Sequence, residues 1–286
     1  MSAIFSYRDE VLYSHHTVDV NPDRESFSMH AHEWMEIYYC ISGQGTYLVE
    51  GQQYPLEAGD IFIMRAAEAH KLNLQPDTPY DRIAIHFSPA LLADIDPDGH
   101  LLRPFLDRPL GQHNRYSVED DPKGRLRAAF ADFDFTSIPD VRLHLTARLL
   151  LFLTTLNGMY EPERYAAPVS GLSGELVAYV NEHLFEDITV QSVADAFYRS
   201  RSQVNRIFRQ ATGSSLWKYV TIKRLMAARA MIQRGESAGT ACADNTVFPF
   251  LYTISVHRTT FRRKGSCYQP MIISMKRISS CLNRAT

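Results

Sequence analysis

The sequence predicts an α+β protein of two domains: an N-terminal β-barrel with flanking helices, followed by an all-α domain. Short apolar segments punctuated by glycines fill the first third, and helical periodicity dominates from residue 175. The net charge also changes sign along the chain. Residues 1–170 carry 14 Lys and Arg against 25 Asp and Glu, and residues 171–286 carry 16 against 7. Charges of −11 and +9 indicate that one half meets a polyanion.

The composition excludes several classes of protein. Of the 286 residues, 45% are hydrophobic and 22% are charged, as in ordinary globular proteins. No apolar run is long enough to cross a membrane, and the charged first ten residues do not resemble a secretory signal. The cysteines lack the spacing of a metal site or a disulfide framework, which favours a cytoplasmic location. They are Cys40, Cys242, Cys267 and Cys281.

The N-terminal strands are predicted from segments rich in Ile, Tyr and Val. Gly43, Gly51 and Gly59 separate them at eight-residue spacing and are expected to form turns with positive φ. Short strands at such intervals favour an antiparallel sandwich or barrel. An eight-stranded barrel has room for one small ligand. The strands are expected at residues 36–41, 45–50 and 60–65.

Helices are predicted after the strands, at residues 91–95, 123–135 and 141–159. The last carries an apolar stripe about five turns long. This helix either lies on the barrel or pairs with a second copy of the chain. Residues 160–174 contain prolines, glycines and serines, which are typical of a linker.

Two short helices joined by a tight turn are predicted next. Thr189 can cap a helix over residues 190–197, and residues 198–200 form the connection. Ser200, with Gln203 three residues on, has the capping-box arrangement that begins a second helix. Gly213 is suited to end that helix. The pattern predicts a helix-turn-helix.

The second helix is expected to have one buried face and one cationic face. Val204, Ile207 and Phe208 form its apolar stripe and leave the polar side chains opposite. Such a face is either a solvated surface or a DNA-binding surface, and the charge of this half favours DNA. A longer helix over residues 215–234 follows, and Lys218, Lys223 and Arg229 are expected on its basic side.

Residues 173–243 resemble the first two thirds of an AraC-type DNA-binding domain. The resemblance implies two helix-turn-helix units flanking a linker helix, with both recognition helices in successive major-groove segments. Carried over by position, Ser202, Asn205 and Arg206 would contact bases, and Arg201 and Arg209 would contact phosphates. The matching features are Ala194-Asp195, Ser200-x-Ser202, Arg206-Ile207-Phe208-Arg209, Thr212-Gly213, Tyr219…Arg224-Leu225…Ala228 and Gly235-Glu236-Ser237.

The second unit, from about residue 237, departs from that family. A Gly-Phe pair is expected after Ala243, but residues 244–250 read Asp-Asn-Thr-Val-Phe-Pro-Phe. Residues 257–265 echo the usual ending with one residue too many, which leaves Arg258 as a DNA-binding candidate. Either the coding frame has slipped in this region or the sequence is a true variant.

The N-terminal half resembles the cupin fold. His30-x-His32-x3-Glu36-x6-Gly43 is similar to the first cupin motif, and Gly59…His70-x2-Asn73 partly matches the second. If the strand is continuous, residues 30, 32, 34 and 36 share a face. These side chains would hold a divalent metal or form hydrogen-bonded interior polar groups. The expected effector-binding residues are His30, His32, Trp34, Glu36, Tyr38 and His70, with no metal and no cofactor.

The sequence therefore predicts a transcription regulator, not an enzyme. Residues 1–165 are expected to bind an effector, a sugar or related metabolite, and to dimerise; residues 172–272 are expected to bind DNA. The expected partners are double-stranded DNA, the effector, a second copy of the chain and, for an activator, RNA polymerase; no membrane is involved. Two alternatives are a metal-dependent cupin enzyme with an accessory helical domain, and a regulator whose altered C-terminus impairs DNA binding.

Overall fold

A computed structural model describes residues 2–22, 27–75, 78–161 and 171–233. All of these residues belong to one compact unit. We call residues 2–161 the sheet half and residues 171–233 the helical half. None of the helices in the described ranges has the length and apolar character needed to cross a membrane.

The sheet half contains nine strands in two antiparallel sheets. The larger sheet has the order β1-β2-β8-β3-β6-β9, and the smaller has the order β5-β4-β7. The strands are β1 (Ser2–Arg8), β2 (Leu12–Asp19), β3 (Met35–Ser42), β4 (Gly45–Val49), β5 (Gln52–Leu56), β6 (Ile61–Met64), β7 (His70–Leu74), β8 (Tyr80–Phe87) and β9 (Arg115–Tyr116).

The three predicted strands are present as β3, β4 and β6. The closed eight-stranded barrel is not: among the described residues, the two sheets are separate hydrogen-bonded units. β1 and β2 were not predicted, and they extend the larger sheet beyond β8. The predicted turn glycines are confirmed, because Gly43, Gly51 and Gly59 have φ of 127°, 87° and 93°.

β3 shows how the sheet half divides into two interiors. Met35 and Ile37 belong to a core shared with helices, whereas Tyr38 and Cys40 belong to a core between the sheets. Side chains on a strand alternate between its faces, so Glu36 lies on the same side as Tyr38. The space between the sheets is therefore lined by aromatic and charged side chains.

Of the three predicted helices of the sheet half, one is confirmed and two are only 3-10 turns. The helix expected over residues 141–159 is α2 (Val141–Gly158). Residues 123–135 contain only a 3-10 turn at Arg127–Phe130, because Asp132 has φ of 50° and the Asp134 carboxylate accepts a hydrogen bond from the Thr136 amide. Residues 91–95 likewise overlap a 3-10 turn at Pro89–Leu92, and α1 is short (Arg103–Leu106).

The apolar stripe of α2 packs on the larger sheet. Its buried residues share a core with the strands, which favours the first of the two roles expected for this helix. Leu143 and Leu151 remain 68% and 46% exposed, so pairing with a second copy stays a prediction. The buried residues are Leu145, Leu149, Phe152, Leu153 and Leu156.

The helical half follows the predicted boundaries closely. Its helices are α3 (Leu172–Glu182), α4 (Val190–Ala196), α5 (Arg201–Thr212) and α6 (Leu216–Gln233). Ser200 and Gln203 form the predicted capping box, and Gly213 ends α5 with φ of 70°. Of the predicted linker, residues 162–170 lie outside the described ranges.

The two halves share one hydrophobic core. Met29 and Ala69 of the sheet half are buried in the same cluster as Leu176 of α3 and Phe208 of α5. At Gly51, an added Cβ would lie 2.7 Å from Val177 Cγ2 of α3, so the turn after β4 approaches the helical half at a distance that a glycine permits.

Candidate functional site

Histidines of the sheet half converge on one buried carboxylate. Glu36, on β3, points between the sheets, and its Oε2 lies 2.8 Å from His32 Nε2 and 3.3 Å from His70 Nε2. His86, near the end of β8, adds Nδ1 at 3.9 Å from the same oxygen. We call these residues together with His30 the histidine cluster.

Backbone carbonyl groups orient three of the imidazole rings. His30 Nδ1 donates to Ser28 O at 2.9 Å, His32 Nδ1 to Trp34 O at 2.9 Å, and His70 Nδ1 to Glu68 O at 2.8 Å. Since a carbonyl oxygen only accepts, each Nδ1 carries a proton. Each Nε2 is therefore on the opposite side of its ring, where those of His32 and His70 face Glu36.

The sequence pattern placed residues 30, 32, 34 and 36 on one face of a strand, on condition that the strand is continuous. That condition is not met. β3 begins at Met35, and His30 instead pairs with His70 through backbone hydrogen bonds of 3.1 and 2.9 Å. The two rings lie 4.3 Å apart between centroids. The pairing of two distant segments, rather than alternation along one strand, brings His30 to the cluster.

Burial and neighbouring charges have opposite effects on the pKa values of the cluster residues. Burial by itself would raise the pKa of Glu36, but the surrounding histidines hold that pKa well below its usual range. Burial would lower the pKa of His70, but the Glu36 carboxylate raises it. For His86, burial dominates and lowers the pKa to about 3. The pKa values of His70 and His86 are therefore shifted in opposite directions around one carboxylate.

The donor set of the cluster fits a divalent transition metal. Ligand nitrogens of His30, His32 and His70 all lie within 4.8 Å of one another. His70 Nε2 is buried and has no hydrogen-bond partner among the described residues, although Glu36 Oε2 is nearby. An imidazole held at Nδ1 by a carbonyl, with a free Nε2, is the usual arrangement of a histidine metal ligand. Sequence reasoning missed His86, which alternation along β8 would have placed on the interior face.

Two other predicted effector-binding residues lie beside the cluster. Tyr38 is buried between the sheets, and its hydroxyl forms a hydrogen bond with that of Tyr80. The Tyr47 ring lies edge to face with Tyr38, at a centroid distance of 5.3 Å, and stacks on His70 at 6.1 Å. Trp34 is half-buried under the Arg8 guanidinium, 5.6 Å from its ring centroid.

The predicted cationic face is present on α5. Val204 and Phe208 are fully buried, and they fix the orientation of the helix. The predicted DNA-contacting side chains lie away from that core, since Asn205 is half-buried and the others are exposed. The exposed residues are Arg201, Ser202, Arg206 and Arg209. Arg258 and the second helix-turn-helix lie outside the described residues.

Lys223 was expected on the basic side of α6, but the structure does not place it on a solvent-facing side. Its side chain is 8% exposed, and its ammonium group donates to Glu50 Oε1 at 2.7 Å and to Ala67 O at 2.8 Å, both in the sheet half. Lys218 is exposed, as predicted, and the Arg229 side chain is outside the described set. No local sequence signal identified Glu50, because its side-chain partners Asn181, Tyr219 and Lys223 are more than a hundred residues away.

Comparison with known proteins shows what parts of this chain resemble. Residues 15–130 match the model of the AraC-like ligand binding domain, which covers most of both sheets and the whole histidine cluster. The HTH-type transcriptional activator RhaS of Shigella sonnei is 25% identical over 256 residues, 88% of each chain. RhaS of Enterobacter sp. strain 638 is 23% identical over 274 residues, 93% of this chain and 95% of that protein.

Among solved structures, ToxT from Vibrio cholerae O395 gives a TM-score of 0.38 at 11% identity, covering 84% of this chain and 89% of that chain. This structural similarity is too low to carry an argument.

Proposed function

We propose that the chain is a DNA-binding regulator that responds to a small-molecule effector. This proposal is supported by the match of residues 15–130 to the AraC-like ligand binding domain and by the similarity of the chain to transcriptional activators. The observation that carries the proposal is α5. This helix is capped at both ends, held by a buried apolar face, and exposes arginines on the other face. α4, the tight connection and α5 act as a helix-turn-helix, with α5 in the major groove.

In this proposal, the side chains of α5 contact different parts of the DNA according to their position on the helix. Ser202, Asn205 and Arg206 contact base edges, where arginine pairs with guanine and asparagine with adenine. Arg201 and Arg209 contact phosphates and hold the helix in register. Arg258 contributes from the second unit of the domain. A homodimer would place two such domains on neighbouring half-sites.

The histidine cluster and the space between the sheets form the effector site in this proposal. The imidazoles of the cluster, of which that of His70 is buried, and buried tyrosine hydroxyls supply donors and acceptors for a polar ligand such as a sugar or related metabolite. The partial exposure of His32, 24% for its side chain, gives such a ligand access from solvent.

A metal ion is a second candidate ligand, favoured by the ligand nitrogens of His30, His32 and His70, which lie within 4.8 Å of one another. His30, His32 and His70 would hold it, beside Glu36, and it would supply a Lewis-acidic centre to which effector oxygens could bind. Elemental analysis of the purified chain decides this point. One equivalent of metal that is lost in His32→Ala, but kept in a His100→Ala control on the exposed surface, supports the site; an absence of metal in both excludes it.

Mapping of bound DNA across the genome, followed by binding assays on the mapped sites, tests the function. We expect purified full-length chain to prefer those sites over a polyanionic competitor such as heparin, and an effector to change that affinity. Equal affinity for every duplex and for heparin would overturn the proposal. The genes beside the mapped sites would indicate the metabolite to test as effector.

A further inference from the structure

We propose that the helical half detects the state of the histidine cluster through a buried network centred on Glu50. This inference deepens the proposed function, because it gives the route by which a ligand in the sheet half alters the DNA-binding half. The Glu50 network consists of Glu50, Asn181, Tyr219 and Lys223. It joins the turn after β4 to α3 and α6.

Glu50 accepts hydrogen bonds from both halves of the chain. Its Oε1 accepts from Lys223 Nζ at 2.7 Å and from the Ala69 amide at 2.6 Å. Its Oε2 accepts from Asn181 Nδ2 at 3.1 Å and from the Tyr219 hydroxyl. The Glu50 side chain is fully buried, so all of its hydrogen bonds must come from protein groups at this contact.

A buried ion pair makes this contact specific. The apolar part of the interface, around Leu176 and Phe208, would tolerate small shifts of one half against the other. The Glu50 carboxylate and the Lys223 ammonium do not, because separating them leaves buried charges without partners. Two close approaches fix the same arrangement: Gly51 lies against Val177, and Gly213 lies against Lys71 of β7.

The segment of residues 67–70 connects this network to the histidine cluster. Ala67 O accepts from Lys223 Nζ, and the Ala69 amide donates to Glu50. His70, the next residue, points into the cluster, whereas the Ala69 side chain is buried in the core of the helical half. The paired segment repeats the pattern, with His30 at the cluster and Met29 in that core.

Because neighbouring residues of these segments face the histidine cluster and the helical half in turn, a shift at the cluster also shifts the Glu50 network. A ligand that draws His30 and His70 together, or displaces them, also moves the amide and carbonyl groups that hold Glu50 and Lys223. Glu68 limits other responses, because its carboxylate is anchored on buried Arg108 at 2.6 Å. The movement is therefore directed toward α3 and α6, and a ligand that prefers one arrangement shifts the population of both halves.

Hydrogen exchange of the full-length chain, without added ligand, tests this connection. We expect Glu50→Gln to accelerate amide exchange in α3 and α6 by about tenfold or more, since the buried ion pair between the two halves is then lost. His70→Gln should produce the same pattern in α3 and α6. The double variant should add little beyond either single change, because both act on one contact.

The controls separate this connection from general destabilisation. His100→Gln, on an exposed loop of the sheet half, should leave exchange in α3 and α6 unchanged. If His70→Gln or Glu50→Gln fails to fold, His32→Gln and Lys223→Met perturb the same two sites. Altered exchange around residues 67–74 with wild-type exchange in α3 and α6 would overturn the proposal. Because this readout needs no DNA, failure of the wild-type chain to bind any duplex would count against the proposed function alone.

Discussion

The two halves of the chain use arginine in opposite ways. In the sheet half, Arg108 is buried, and its Nη1 and Nη2 donate to the two carboxylate oxygens of Glu68 at 2.7 and 2.6 Å. In the helical half, the arginines of α5 are exposed, and Arg206 makes one long hydrogen bond of 3.4 Å to Gln210. A buried pair stabilises the fold and is closed to other partners. Exposed guanidinium groups remain available to an external polyanion.

The same contrast occurs within α6. Lys218 and Lys223 both belong to the positive charge of the helical half, but Lys218 is exposed and Lys223 is buried against Glu50. Net charge therefore overstates the cationic surface of this half. The DNA-binding proposal depends on the exposed subset.

The largest effect is expected at the buried arginine pair. Glu68→Ala should lower the free energy of unfolding by about 3–5 kcal/mol, because it leaves the Arg108 guanidinium buried without a counter-charge. Urea unfolding of the full-length chain measures the change. Glu57→Ala is the matched control, since Glu57 is 66% exposed and pairs with Arg115 at the surface, where an ion pair contributes little. Equal losses in the two variants would contradict the contrast between buried and exposed charge.

A smaller loss is expected at α6. Lys223→Ala should lower the free energy of unfolding by about 2 kcal/mol, because Glu50 stays buried but keeps its other donors. Lys218→Ala should leave the free energy of unfolding nearly unchanged. Parallel urea titrations compare the two lysines within one helix. If Lys218→Ala costs as much as Lys223→Ala, the assignment of Lys223 to the interface is wrong.

Local signals were sufficient for most of the helical half. The capping box at Ser200, the glycine at the end of α5 and the apolar stripe are properties of neighbouring residues, and each was predicted. The helix over residues 123–135 failed because periodicity does not detect the positive φ of Asp132 or the turn at Asp134. Apolar spacing alone is a weak guide where aspartates compete for backbone groups.

Contacts between residues far apart in the chain could not be predicted from the sequence. His30 reaches the cluster by pairing with His70, and Glu50 meets Lys223 across 173 positions of the chain. The cupin-like motif named four cluster residues correctly as neighbours, yet their geometry depends on this pairing rather than on the strand that was assumed. His86 was missed because it lies on a different strand from the motif.

At the DNA surface, Arg206→Ala should cost about 1–3 kcal/mol of binding free energy at a specific site and relax the preference at one base pair. The reason is the loss of a bidentate contact with a base edge. Fluorescence anisotropy with the mapped site and its single-base variants measures both effects. Urea unfolding should be unchanged, since Arg206 is exposed. Loss of affinity without relaxed preference would place Arg206 on phosphate instead.

The smallest effect is expected at Arg209, where a charge of the helical half can be compared directly with a charge of the sheet half. Arg209→Ala should weaken binding to all duplexes to a similar extent and reduce the slope of log K against log salt by about 1, because one phosphate contact and its released counterion are lost. Arg125→Ala removes the same charge from an exposed position in the acidic sheet half, and it should leave that slope unchanged. Salt titrations of the two variants on one duplex therefore distinguish a local contact from a general effect of net charge. Equal slopes for Arg209→Ala and Arg125→Ala would mean that α5 does not face the DNA backbone.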